Sequence, residues 1–483
     1  MKQWLLMFGL FATQAYALTN HEAFKINSKE EHQITLLNHG ISALEARIQM
    51  IEEAKESIDV EYFIFNVDRA GKIISQALIK KAEQGVKVRI LLDYFMVKSQ
   101  FTPFYAFEMA KHGIEVRYFN PTASLNLLSG QYRNHRKVLI IDGKAVITGG
   151  RNIADEYFDF RKDFNFLDRD IKVEGEIVRS IKSTFETVWN SKYSLKVARE
   201  RKPEYADIKY RGSFSSHDDF LYRADLRFWN NKVKKASDFL SQEDEKFLEI
   251  VRAKGKLEIQ NEYQGTCQNM SFNSEYPNTG EDSRPERIIK YDISERFSNA
   301  KESIFFDSPY FIVDDNSKNA LETALSNNVK VTLLTNSLHS TDAIFVYAVF
   351  NNIIKKWVKK GLDAHIFRGE IPQSYQGFNE DSSKTRYGIH AKSFVFDHKD
   401  VVIGTYNFDP RSANINAEMT IACEDNPELA LRVTNDIQDK LNGSIHLKSN
   451  KIIENVEFYK TGFLKRLQYI FIKIPSNMFD YLL

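Results

Sequence analysis

The chain has 483 residues, 43% of them hydrophobic, with 66 basic and 65 acidic side chains for a net charge of +1. That is enough apolar material for two or three cores, and it excludes global disorder. The balanced charge argues against a polyanion binder, which carries a basic excess on at least one domain, yet it leaves room for a local basic cleft.

In chain order, the N-terminus reads MKQWLLMFGLFATQAYALTN. Lys2, the apolar stretch from Trp4 to Ala12 and the Ala15-Tyr16-Ala17 cleavage pattern make residues 1–17 a signal peptide by pattern, too short for a comfortable membrane span. Export is therefore expected. No cysteine follows the apolar run, so no lipid anchor is expected there. Cys267 and Cys423 are the only cysteines. Two are too few for a disulfide scaffold or a cysteine zinc site, although an exported protein can form one bridge. Cys423 lies in the apolar run MTIAC and reads as a small core residue.

The chain then repeats itself. AKESI at 54–58 recurs at 300–304, GVKVRILLD (85–93) has a counterpart in NVKVTLLTN (328–336), KHGIEVRYF (111–119) in KKGLDAHIF (359–367), and HRKVLIID (135–142) in HAKSFVFD (390–397). The offsets are 246, 243, 248 and 255 residues, so order and spacing both survive. A duplication explains this. Residues 69–84 and 314–327 show helical periodicity and lead into short Val/Ile/Leu runs, the alternation of an α/β unit with a largely buried sheet. The expected layout is a first domain at 40–195, a linker or accessory segment at 196–260, a second domain at 261–445 and a tail at 446–483. Within it, 196–240 reads as linker or an accessory layer and the polar stretch 262–286 as a long loop.

The last repeat carries chemistry. Residues two apart on a strand share a face, so His135 pairs with Lys137 and His390 with Lys392. Asp142 and Asp397 belong to the same motifs, but they sit seven positions on and beside a turn, so geometry points them elsewhere. Returning strands end at Asn152 and Asn407, each seventeen positions after its histidine. A phosphodiester would use such a set twice over. Lysines offset charge on the phosphoryl oxygens, asparagine amides donate to them, one imidazole attacks phosphorus and the other protonates the departing alkoxide. The scheme requires no metal or other cofactor.

H-x-K-x4-D followed by a Gly-Gly/Ser/Thr-x-Asn turn, twice per chain, resembles the phospholipase D superfamily, from about residue 40 to the C-terminus. TGGRNIADEYF (148–158), TYNFDPRSANINAE (405–418), LTNSLHSTD (334–342) and SPYF (308–311) are similar to bacterial cardiolipin synthases of the C type. The resemblance implies two α/β/α sandwich domains related by a pseudo-twofold axis, with one active site at their interface. It also implies a catalytic set of His135, Lys137, Asp142, His390, Lys392 and Asp397. In it His135 is the nucleophile that becomes a phosphohistidine, and His390 is the general acid and later base. Lys137, Asn152, Lys392 and Asn407 would bind the phosphate, Asp168 and Glu418 would orient the histidines, and Asp142 and Asp397 would by family analogy be structural. The chain departs from relatives at Phe65-Asn66, where Trp-His is common, and at Thr405, where Gly or Ser is commoner.

The implied partners are phospholipids such as phosphatidylglycerol and phosphatidylethanolamine at a bacterial envelope membrane, in the periplasm or secreted, with no nucleic acid. Transfer to an alcohol, giving a cardiolipin synthase, and hydrolysis, giving a phospholipase D, share one half-reaction and both stay open. A nuclease and a non-catalytic lipid-binding protein are the rival classes; balanced charge speaks against the first and two intact motifs against the second. In SLHSTD, Thr341 and Asp342 read equally as pocket residues or as a turn or helix cap. The tail 462–483 is apolar with Lys465, Arg466 and Lys473 interspersed and Pro475 interrupting it. It reads as an interfacial segment or as a helix packed on its own domain.

Overall fold

The computed structural model describes residues 24–121, 129–196, 202–205, 216–242, 244–277, 286–372, 375, 377–378, 384–447 and 458–476. The signal-peptide pattern lies outside the described residues.

Two nine-stranded sheets carry the fold, and they have one topology. The first runs Ser194–Leu195, Glu115–Phe119, Lys87–Asp93, Ser57–Tyr62, Val138–Ile141, Ala145–Gly149, Asp170–Glu174, His32–Leu37 and Gln264–Cys267. The second runs, in matching positions, Ser444–Leu447, Asp363–Phe367, Lys330–Asn336, Ser303–Asp307, Ser393–Phe396, Asp400–Gly404, Met419–Glu424, Asn269–Ser274 and Phe24–Ser28. In each, three strands pair in parallel through helical crossovers and the rest pair antiparallel. The parallel strands are buried along nearly their whole length because helices cover them.

The outermost strands are exchanged. Phe24–Ser28 precedes His32–Leu37 in the chain but pairs with Asn269–Ser274, and Gln264–Cys267 precedes Asn269–Ser274 but pairs with His32–Leu37. Each copy thus closes the other's sheet. Cys267 on one sheet is bridged to Cys423 on the other, with 6.0 Å between the Cα atoms. Cys423 is buried as expected, but as half of a disulfide. The central core spans both sheets, joining Val138, Val146 and Ile171 to Phe272, Val395 and Ile421, with the helices Ile177–Trp189 and Pro427–Asn442 packed into it. Two outer cores lie under the remaining helices.

Both expected crossover helices form, at Arg69–Glu83 and Asp315–Ser326. Aspartate starts each, with Asp68 accepting from Gly71 N and Asp314 forming a capping box with Ser317. The segment read as linker or accessory, 196–260, contains long helices at Ser216–Ser241 and Glu245–Asn261, which pack as a layer on Pro103–Lys111 and Gly40–Glu53. Gly255 lets the last pair close, since a Cβ there would stand 2.4 Å from that of Glu45. One expectation is corrected: the stretch 262–286, read as loop, supplies the strands Gln264–Cys267 and Asn269–Ser274, whose backbones are paired at the exchanged edges although Ser271, Asn273 and Ser274 are polar and buried; residues 278–285 are outside the described set.

Candidate active site

The two histidine motifs enter the seam between the sheets, and each is held by the other copy. Asn134 bridges Ala417, and His135 N donates to Ala417 O at 3.0 Å. In the other half Arg386–Ile389 pairs in parallel with Phe164–Leu167, and His390 N donates to Leu167 O at 2.8 Å. The residue after each of those acceptors is the expected orienting acid. Glu418 Oε2 lies 2.7 Å from His135 Nδ1, and Asp168 Oδ2 lies 2.5 Å from His390 Nδ1. Each acid therefore serves the histidine of the opposite copy. With Nδ1 held by a carboxylate, Nε2 is the nitrogen left for substrate. Arg169 ties the seam further, bonding Asp307 at 3.1 Å and Asp436 from the second copy.

Lys137 Nζ rests on its own motif, 2.8 Å from His135 O, and Lys392 Nζ bonds His390 O. All four motif side chains are buried. Burial dominates their protonation. It pushes His135 down to about 4 despite Glu418, and lowers His390 with help from Lys392. It also lowers Lys137 to about 7 and Lys392 to about 8. Burial alone would raise Asp168, but the charges of His390 and Lys392 and the hydrogen bond from His390 bring it down to about 2. Glu418 is likewise lowered on balance, by His135, Lys137 and Thr405 against its burial. At neutral pH the site holds uncharged imidazoles beside ionised acids.

Asn152 and Asn407 lie in the same seam and are buried. Asn152 Oδ1 accepts from Ile64 N, and its amide donates to Tyr157 OH at 2.9 Å, which takes one of its two N–H donors. Asn407 Nδ2 and Oδ1 have no such fixed geometry; the backbone N donates to Ser412 Oγ, and Oδ1 is buried without a hydrogen-bond partner.

Asp142 and Asp397 are not part of this cluster, which corrects their place in the catalytic set. Both sit at positive φ in the turn after the strand, at 54° and 47°. Asp142 accepts from the backbone N–H of Lys55, Glu56 and Ser57, and Asp397 from Lys301, Glu302 and Ser303. The repeated AKESI is the loop these carboxylates hold. Phe65 also has a structural role: it is buried against Phe101 and bridges Ile153.

Several site residues fall outside the predicted set: Phe63, Phe166 and Glu275 lie beyond the matched motifs, and Tyr157, Ser412 and Asn416 lie within them. Phe63 meets the His135 ring edge-on at 4.7 Å, and Tyr157 and Phe166 flank His390 at 5.1 and 4.9 Å. Thr405 Oγ1 donates to Glu418 Oε2 at 2.5 Å, while Ser412 and Asn416 donate to Oε1. Behind Glu418, the buried Glu275 is pushed up to about 8, by burial first and by the Glu418 charge against the pull of Arg287. Tyr310 OH donates to Asp342 at 3.1 Å, and Thr341 Oγ1 accepts from Ala343 N, so the first is placed at the site and the second caps a turn. Among the described residues, one trio could hold a metal ion: Asp363, His365 and His446. It lies at the far edge of the second sheet, on strands apart from the motifs. A cavity of about 690 Å³ between the helices Arg69–Glu83 and Glu245–Asn261 contains none of the motif residues.

Residues 47–189 and 293–441 match the family model described as cardiolipin synthase, PLD-like domain. The chain is 32% identical over 437 residues to an uncharacterized protein of Helicobacter pylori strain J99, covering 88% of this chain and 82% of that one. It is 28% identical over 410 residues to cardiolipin synthase C of Escherichia coli K12, covering 80% of each. The crystal structure of phosphatidylserine synthase from Haemophilus influenzae Rd KW20 shares the fold, with a TM-score of 0.63 at 13% identity over 98% of this chain and 99% of that one. Twin motifs, crossed histidine–acid pairs and two matched segments agree: the chain belongs to the phospholipase D superfamily and carries two PLD-like domains of the cardiolipin synthase kind.

Proposed function

We propose that this protein is a phospholipid phosphodiesterase that works by phosphatidyl transfer. The crossed pairs His135–Glu418 and His390–Asp168 carry the reading, because they place two imidazoles, each with a partnered Nδ1, in one buried seam.

His135 Nε2 attacks phosphorus, the bond to the headgroup oxygen breaks, and His390 gives that oxygen its proton. Burial lowers His390, and an anionic phosphodiester beside it favours the imidazolium that can act as acid. His390 then takes the proton of an acceptor alcohol, whose oxygen attacks phosphorus as the bond to His135 breaks. Lys137, Lys392, Asn152 and Asn407 steady the phosphoryl oxygens throughout. Phosphatidylglycerol as acceptor gives cardiolipin; water gives phosphatidic acid. The relatives named as cardiolipin synthases support transfer.

The setting we propose is the envelope of a bacterium, after export, at the membrane surface. The Cys267–Cys423 bridge supports an oxidising compartment. Incubating the protein with vesicles of phosphatidylglycerol and phosphatidylethanolamine and weighing the products tests the function. Cardiolipin with released glycerol or ethanolamine is the expected result. Phosphatidic acid alone converts the reading to hydrolysis, and unchanged lipid overturns it.

A further inference from the structure

The last described helix, Phe463–Ser476, is apolar on two faces. One face is packed: Tyr469 is buried, Asn351 Nδ2 donates to its hydroxyl at 2.9 Å, and Ile472 joins the second domain's outer core. The other face is bare. Phe463, Leu464, Leu467, Ile470 and Phe471 are 76%, 73%, 40%, 53% and 72% exposed. At 100° per residue these five fall within an arc of about 120°, so they form one ridge rather than scattered contacts. Five large apolar groups side by side on a surface call for a partner.

The helix is also tied to the site. Lys465 Nζ donates to Thr341 O at 2.6 Å and reaches His339 O at 3.4 Å. The next residue in that loop, Asp342, holds Tyr310 OH and is close enough for its charge to act on His390 and Lys392. Beside the ridge the helix carries Arg466 and Lys473, about 40° and 60° from its edge. Burial together with the charges of Arg386, Lys465 and Lys460 pushes the His339 imidazole down to about 4. Lys460 also pairs with Glu370 at 2.6 Å, and Arg466 reaches Thr461 O and Phe458 O. Among the described residues no helix is long and apolar enough to cross a membrane. An apolar ridge with a basic flank, on a helix of this length, matches the surface of an anionic bilayer.

We propose that Phe463–Ser476 is an interfacial docking helix, seating its Phe463–Phe471 ridge among the acyl chains of an anionic bilayer while Lys465, on its packed side, holds the Ser337–Asp342 loop. This rests on the reading of the substrate as a membrane phospholipid and adds the surface by which the enzyme reaches it. Lys465 links the docked helix to the loop, so seating the ridge also fixes the loop that carries Asp342.

The test compares the full protein with a Phe463→Ser/Phe471→Ser variant and a Phe463→Leu/Phe471→Leu variant. Flotation uses vesicles of phosphatidylglycerol mixed with phosphatidylcholine, and vesicles of phosphatidylcholine alone; thermal melts confirm folding. Removing two exposed phenyl rings should weaken binding to the anionic vesicles at least about tenfold, while the leucine variant stays within about threefold. Turnover of a short-chain phosphatidylglycerol below its micelle concentration should be equal for all three. Serine-variant binding equal to wild type, or wild type that leaves anionic vesicles unbound, overturns the proposal. So does a wild-type dimer that the serine pair dissociates with vesicle binding unchanged, since the ridge then covers a second copy. Vesicle binding that follows the ridge without turnover of any lipid instead removes the catalytic reading and leaves docking standing.

Discussion

The two copies share strand order, motif spacing and crossed hydrogen bonds, and they part at the residues behind the histidines. Asp168, which serves His390, accepts from Arg169 N at 2.8 Å and lies against Gly150, where a Cβ would stand 2.1 Å from its Oδ1. Glu418, which serves His135, has one more methylene and is surrounded by Thr405, Ser412 and Asn416. The position that must be glycine in one copy is a hydroxyl donor in the other. Duplication supplied two equal imidazoles, and divergence behind them supplied different carboxylate environments. In the proposed mechanism that difference separates the histidine that holds phosphorus from the one that handles protons.

The strongest way to break this comparison is to remove each histidine in turn. His135→Ala is expected to abolish turnover and covalent labelling by phospholipid. His390→Ala should lose on the order of 10²–10⁴ in kcat on lipids yet still be labelled by a nitrophenyl phosphodiester, whose leaving group departs without a proton. Mass spectrometry of the trapped protein reads the outcome, and an adduct on His390 would reverse the roles.

Next come the acids. Asp168→Asn and Glu418→Gln should each lower kcat by on the order of 10²–10⁴ by releasing the Nδ1 that fixes the opposite histidine's tautomer. Gly150→Thr should fall in the same range, because its Cβ displaces Asp168, whereas Thr405→Gly removes one hydrogen bond to Glu418 and should cost only about tenfold. Equal losses at Gly150 and Thr405 would mean that the two halves are interchangeable.

The pH profile sharpens the comparison in another way. Because burial holds His135 down to about 4, kcat/KM should rise as pH climbs through that value and frees the nucleophilic nitrogen. Because burial lowers His390, the acid, and holds Lys137 near 7 and Lys392 near 8, kcat/KM should fall as pH rises through these three groups in turn. Lys137→Arg, which does not titrate there, should remove the part of the alkaline limb near 7. An alkaline limb unmoved by that substitution assigns it to another group.

Much of this was legible in the sequence, for local reasons. Strand runs such as VLII and crossover helices such as Arg69–Glu83 follow from periodicity, and the spacing of His135, Lys137 and Asn152 repeats at His390, Lys392 and Asn407. What escaped depends on pairing at a distance. No local pattern tells Phe24–Ser28 to join the other copy's sheet, and Cys423 reads as core until Gln264–Cys267 is placed opposite it. The helix Ser216–Ser241 did leave a signal in its Asp219–Arg223 and Lys234–Asp238 spacing, which suits a solvated helix better than a linker. Thr405 stands in the sequence only as a departure from Gly or Ser, because its value lies in a contact with Glu418, thirteen residues on.

The smallest expected effect separates scaffold from chemistry. Asp142 and Asp397 stand in both motifs as regularly as the histidines, yet each spends its oxygens on the backbone N–H groups of an AKESI loop at the far end of the strand. Both are held below the usual carboxylate range: burial would raise them, but the donated N–H groups outweigh it. Replacing either with alanine leaves most of the loop amides to water, since Lys55, Glu56, Lys301 and Glu302 are exposed and only Ser57 and Ser303 are buried, so the loss should be about 1–2 kcal/mol in unfolding free energy. A denaturant melt reads that loss, and initial rates at saturating substrate should match wild type within about twofold once the variant is folded. The two substitutions should cost about the same, because here the copies have not diverged. A large drop in kcat without a drop in stability would return these aspartates to the reaction.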